Sequence, residues 1–249
     1  MDKEIIEKSF DDIIGKHSDF LYNIEGTLRE ITDTKEEYKT LKEDIWRFWK
    51  ETKNLDHEQL IMKGENGTFF ENRNGDKDSV GKTEEMKEFV TQATVYDGER
   101  VLYTMHNHPS GCCMPSLPDT SNFVIVNEKY KVVLSKNGLC IFKNNNGSET
   151  FLDYEDVISS YNMMDKKISR DFDKDYYDKY MELEEKYPKW YDDETQDYVN
   201  YHNEFDKFYS ESINKHLNEY ITLFNKKLHT KNRNVKVNAY YVPRTPRVY

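Results

Sequence analysis

Residues 104–123 read Thr104-Met-His106-Asn-His108-Pro-Ser-Gly-Cys-Cys-Met-Pro-Ser116-Leu-Pro-Asp119-Thr-Ser-Asn-Phe123, and they hold three of the six prolines in the chain of 249 residues. His106 and His108 sit two apart at the end of an apolar run, 101–106, with strand composition. The two-residue period of a strand turns both imidazoles to one face, where the pair can chelate a single ion. Pro109 ends the strand and a loop with Gly111 follows. Asp119 stands eleven residues after His108, at the start of a short helix, from where a carboxylate can turn back as a third ligand. Two neutral imidazoles and one carboxylate leave the fourth tetrahedral position of zinc to water, as a catalytic site needs and a closed structural site does not. By itself His-x-His is a weak signal, since strand histidines are often only hydrogen-bonded residues. Ser116 to Asp119 is also a Ser-x-x-Asp capping arrangement. Both roles suit Ser116. For Asp119 they compete, because a carboxylate that caps a helix is not aimed at a metal.

The whole spacing is more specific than its parts. His-x-His-Pro, six residues, then Ser-x-x-Asp resembles the JAMM motif of the JAB/MPN metalloprotease family, matched here by His106, His108, Pro109, Ser116 and Asp119. The string His-Asn-His-Pro-Ser-Gly is also similar to RadC-type members of that superfamily. The resemblance spans about the middle two-fifths of the chain. It implies an α/β (α+β) core, a mixed sheet with flanking helices, and one zinc ion per chain held by His106, His108 and Asp119. It further implies an upstream glutamate as general base, with the Ser116 hydroxyl helping to stabilise the oxyanion. Glu58 is the choice for that base, because the run 58–67, Glu-Gln-Leu-Ile-Met-Lys-Gly-Glu-Asn-Gly, looks like the acidic residue, first core strand and turn of the family; JAB domains of phage and toxin-associated proteins are similar in this part and in Gly75 to Val80. Glu65 and Glu71 compete with it.

Outward from this stretch, the texture of residues 55–150 stays mixed: eight of the ten glycines fall between Gly64 and Gly147, among short strand-like runs. Strands are expected over 59–62, 68–70, 101–106, 130–134 and 139–142. The last two form a hairpin around Asn137-Gly138, a dipeptide that tolerates the positive φ of a tight turn. A helix is expected over 83–93, with Thr83 as N-cap and Glu84 and Glu85 beside the positive end of its dipole.

The ends read as helical extensions. From Ile5 to Trp49 apolar residues recur at helical intervals (Ile6, Phe10, Ile13, Ile14; Leu21, Ile24, Leu28, Ile31; Leu41, Ile45, Phe48), giving two or three amphipathic helices broken near Gly15 and near Thr32 to Thr34. After Gly147, low glycine and proline content permits one long helix over 154–187 and a second carrying Tyr198, Tyr201, Phe205, Phe208, Ile213, Leu217, Tyr220, Phe224 and Leu228. Packing on a neighbouring helix is favoured for that stripe over a coiled-coil dimer. The organisation expected is an N-terminal helical extension (1–54), the JAB/MPN-like core (55–150), a C-terminal helical region (151–232) and a basic, tyrosine-containing tail (233–249). Lys227, Lys231, Arg233, Lys236, Arg244 and Arg247 make the end basic, and Pro243 and Pro246 keep it extended, as a solvated terminus.

The net charge of -11 and pI near 5.2 argue against a phosphate-backbone binder. No apolar run is long enough for a membrane span, and the charged start lacks a signal-peptide core. Three cysteines, two of them adjacent, give no disulfide framework, and the expectation is a cytoplasmic protein, or a virion-associated one if phage-encoded. Gly75-Asp-Lys-Asp-Ser-Val-Gly81-Lys82-Thr83 has five residues between its glycines where a P-loop has four, and its acidic residues repel phosphate; it reads as a loop before a helix. Cys112 and Cys113 read as loop thiols, His57 as an optional extra ligand, and His17, His202, His216 and His229 receive no role.

These readings converge on a zinc metallopeptidase or isopeptidase acting on a protein or peptide, with the helical extensions free to choose a protein partner or a second copy. The main rival is a non-catalytic, phage-associated structural or binding protein that keeps the fold. A RadC-like, DNA-associated role is the further alternative, and the acidic charge counts against it.

Overall fold

The break expected around Thr32 to Thr34 separates two helices, α1 (Ser18–Ile31) and α2 (Lys35–Thr52). Thr34 is extended and its hydroxyl accepts the Glu37 N–H, which satisfies one donor left over at the start of α2. A computed structural model describes residues 18–96, 98–109, 111–145, 154–231 and 237–243. Ile6, Phe10, Ile13, Ile14 and the break at Gly15 lie outside the described residues, as do Arg233, Lys236, Arg244, Arg247 and Tyr249.

The remaining elements are β1 (Leu60–Gly64), β2 (Phe69–Asn72), α3 (Glu84–Val95), β3 (Val101–Asn107), α4 (Leu117–Val126), β4 (Tyr130–Ser135), β5 (Gly138–Asn144), α5 (Tyr154–Lys186), α6 (Gln196–Lys231) and β6 (Val237–Pro243). The class is α+β: a mixed six-stranded sheet in the order β2-β1-β3-β4-β5-β6, with flanking helices. β3 and β4 run parallel, while β1 pairs antiparallel with β2 and with β3, and β4 pairs antiparallel with β5. Parallel neighbours need a long connection, and here residues 108–129, including α4, provide it. Thr83 caps α3 through the Met86 N–H, as its sequence predicts. The tail read as a solvated terminus instead supplies β6, in which Ala239 and Val242 are buried. Pro243 is the last residue of the strand, so the apolar positions before it stay intact.

Packing divides the chain differently from glycine content. The described residues of 18–113, 128–144 and 240–243 form one compact unit, and those of 114–127, 145–231 and 237–239 form another. In the first, α1 and α2 are part of the core. Leu28, Leu41, Ile45, Phe48 and Trp49 cluster with Ile61, Tyr103, Met105, Val132, Leu134 and Ile141 of the sheet. Full burial of each such side chain stabilises by about 1.5–3 kcal/mol, so the sheet has one face covered by its own N-terminal helices. Asp44 is buried at this interface and receives bonds from Tyr103 Oη (2.6 Å), Arg47 (2.8 Å) and Lys63 Nζ (3.0 Å).

In the second unit α5 and α6 run antiparallel. Lys186 pairs with Glu204 at 2.7 Å, Lys215 with Asp175 at 3.3 Å, and Lys167 with Glu219. Tyr201 and Leu217 of the aromatic stripe are buried, and Phe205 packs edge-on against Tyr176 at 5.3 Å.

Candidate metal centre

His106 is the penultimate residue of the fully buried strand β3, and His108 follows that strand's end. The His108 N–H donates to Leu134 C=O at 2.7 Å, so the pairing with β4 continues one step past β3 and keeps the strand period through both histidines. Their Nε2 atoms stand 3.0 Å apart, with the rings inclined at 61°. His108 Nδ1 lies 2.9 Å from Cys112 C=O. A carbonyl only accepts, so Nδ1 carries the hydrogen and Nε2 is the atom turned toward His106. A backbone carbonyl that fixes an imidazole tautomer in this way is the usual support of a metal-binding histidine.

Sheet register delivers the carboxylate. Leu60 of β1 pairs with His106 of β3 in antiparallel fashion, so the residue two before Leu60 faces the residue two after His106, which sets Glu58 against His108 on the same face. Glu58 is 7% exposed and its Oε1 lies 3.9 Å from His108 Nε2. The ligand atoms of Glu58, His106 and His108 all fall within 4.8 Å of one another.

The loop that failed as a P-loop positions this glutamate. The Glu58 N–H donates to Asp76 C=O at 2.7 Å. The Asp76 carboxylate accepts the N–H groups of Asp78 (2.9 Å) and Ser79 (2.7 Å), bonds that hold its carboxyl below the usual aspartate range and close the turn. A Cβ on Gly75 would sit 2.2 Å from Glu58 C=O, so only glycine allows this approach.

Ser116 and Asp119 are bonded to each other on the first turn of α4, within the second compact unit. Ser116 N–H (2.8 Å) and Oγ (2.7 Å) both donate to Asp119 Oδ2, and the Asp119 N–H donates to Ser116 Oγ at 3.2 Å. This is the capping box that competes, in the sequence, with a ligand role for Asp119.

Cys113 and Cys140 are buried and burial pushes both thiols up, which keeps them protonated and poor as ligands. His57 Nδ1 lies 3.1 Å from Asp56 Oδ1, and its Nε2 lies 3.2 Å from Gln59 Nε2. No helix among the described residues is long and apolar enough to cross a membrane. No protein-family model matches the chain, and no curated protein matches it.

Two imidazole nitrogens are donors of the type zinc accepts, with the Glu58 carboxylate close beside them, whereas magnesium and calcium favour oxygen ligands alone. The converging nitrogens, with His106 buried and His108 partly buried, and the Nδ1–H bond that orients the His108 ring fit such an ion.

Proposed function

We propose that this chain is a zinc-dependent peptidase or isopeptidase of the JAB/MPN type. The observation that carries the reading is the convergence of His106 Nε2, His108 Nε2 and the Glu58 carboxylate from two sheet-paired segments. His106 and His108 would hold the ion, one per chain, and a zinc ion there would supply Lewis acidity toward the scissile carbonyl and toward water. Glu58 takes the proton from the attacking water on its carboxylate and returns it to the leaving amine. Its burial beside His108 excludes bulk solvent from that exchange, and the backbone bond to Asp76 holds its position. The assignment of Asp119 as a further ligand and of Ser116 as an oxyanion donor rests on the sequence pattern. The substrate is a protein or peptide, and the three thiols suit a reducing, cytoplasmic setting.

The test is zinc content together with hydrolysis of a panel of peptide-linked and isopeptide-linked substrates. Glu58→Gln retains zinc and loses hydrolysis. Turnover that survives in this variant refutes Glu58 as the base, and a wild-type protein that binds no zinc refutes the metallopeptidase reading.

A further inference from the structure

Glu58 precedes β1, outside the regular ladder, yet its carboxylate must meet two histidines that end a different strand. The residue between those histidines spans the gap. Asn107 is 2% exposed, and its side chain grips the backbone on both sides of Glu58. Its Oδ1 accepts the Gln59 N–H at 2.7 Å, and its Nδ2 donates to His57 C=O at 3.0 Å. The Asn107 N–H adds a long bond to Gln59 C=O at 3.4 Å. A carboxamide presents an acceptor and a donor in one plane; an aspartate here lacks the donor and a serine lacks the reach. With its own N–H bonded to Asp76, Glu58 is anchored at its amide and at both neighbouring residues, so its position relative to the histidines is set by backbone contacts.

We propose that Asn107 is a positioning residue, whose carboxamide holds the Glu58 carboxylate against the His106 and His108 pair. One residue of β3 thereby ties the base-bearing segment to the strand end that carries the histidines. The functional meaning of this role rests on the reading of Glu58 as the acid-base residue, but the structural claim is measurable without metal or substrate.

The experiment follows the His108 ring signal in NMR spectra of the metal-free 249-residue chain, assigned by its loss in His108→Ala. Replacing the nearby carboxylate in Glu58→Gln moves that signal. Asn107→Ala moves it in the same direction by at least about half as much, and adds nothing further in the Glu58→Gln background, because both changes act through one carboxylate. A His108 signal that stays at its wild-type position in Asn107→Ala, or that shifts equally in both backgrounds, overturns the proposal. Asn107→Ser is read by the same two criteria if the alanine variant does not fold. Zinc titration of the wild-type protein is scored separately: absence of binding overturns the metallopeptidase reading, while the ring signals still decide the role of Asn107.

Discussion

Zinc added to the wild-type protein raises its unfolding temperature, and His108→Ala abolishes that rise. A ligand that binds only the folded state stabilises by RT ln(1 + [L]/Kd), about 2.7 kcal/mol at one hundred times Kd. Each kcal/mol moves the midpoint by about 2–4 °C in a domain of this order of size, so the expected rise is about 5–11 °C. His108 contributes twice. Its Nε2 is one of the converging donors, and its Nδ1–H bonds Cys112 C=O at 2.9 Å. Loss of that internal bond costs about 1 kcal/mol before any metal is present, so metal-free His108→Ala melts about 2–4 °C below metal-free wild type. The assay is thermal unfolding followed by circular dichroism with chelator and then with a zinc series, alongside zinc content by mass spectrometry. The two contributions separate because only the larger one depends on zinc. A zinc-dependent rise that persists at full size in His108→Ala would mean that the ion sits elsewhere and would refute the reasoning.

Gly75→Ala places a methyl 2.2 Å from Glu58 C=O, so it destabilises by about 1–3 kcal/mol and weakens zinc binding, as unfolding and titration will measure; a neutral result contradicts the close approach. Asp119→Ala and Ser116→Ala each remove a partner of the α4 cap and cost about 1 kcal/mol, but only Asp119→Ala lowers zinc affinity if the sequence-derived ligand role holds, and equal affinities confine Asp119 to the cap. Burial pushes the Glu128 carboxyl above its ordinary value of 4.5, against the pull of Lys131 and Thr104. A raised folded-state pKa contributes stability that is present below the unfolded value and lost as pH rises through the folded one. The melting temperature of wild type therefore falls relative to Glu128→Gln as pH rises above the ordinary glutamate value of about 4.3, and a pH-independent difference contradicts that direction.

Much of the architecture was legible because it depends on local chemistry. The Thr83 cap, the break near Thr32 to Thr34 and the two long glycine-free helices follow from propensities that act over a few residues, and the expected β4–β5 hairpin forms with its turn at Lys136-Asn137, although without the positive φ that Asn137-Gly138 suggested. The pairing of His106 with His108 was equally local, since the strand period alone puts them on one face. The tail strand β6 was hidden, because its proline and basic flanks signal solvent while its pairing partner lies in β5, far away in sequence.

The residues themselves therefore determined most of the individual helices and strands and the histidine pair, which are set within one turn or one strand, while the Ser116 to Asp119 spacing left a cap and a ligand role open. Only the tertiary structure decided that Glu58 faces His108, since that follows from the register Leu60 to His106 between strands about forty residues apart. It alone turned the loop from Gly75 to Ser79 into a brace for Glu58, a contact between backbones that no side-chain pattern encodes. The N-terminal helices joined the core of the sheet for the same reason: an amphipathic stripe states that a face must be buried, and only the folded chain specifies against what.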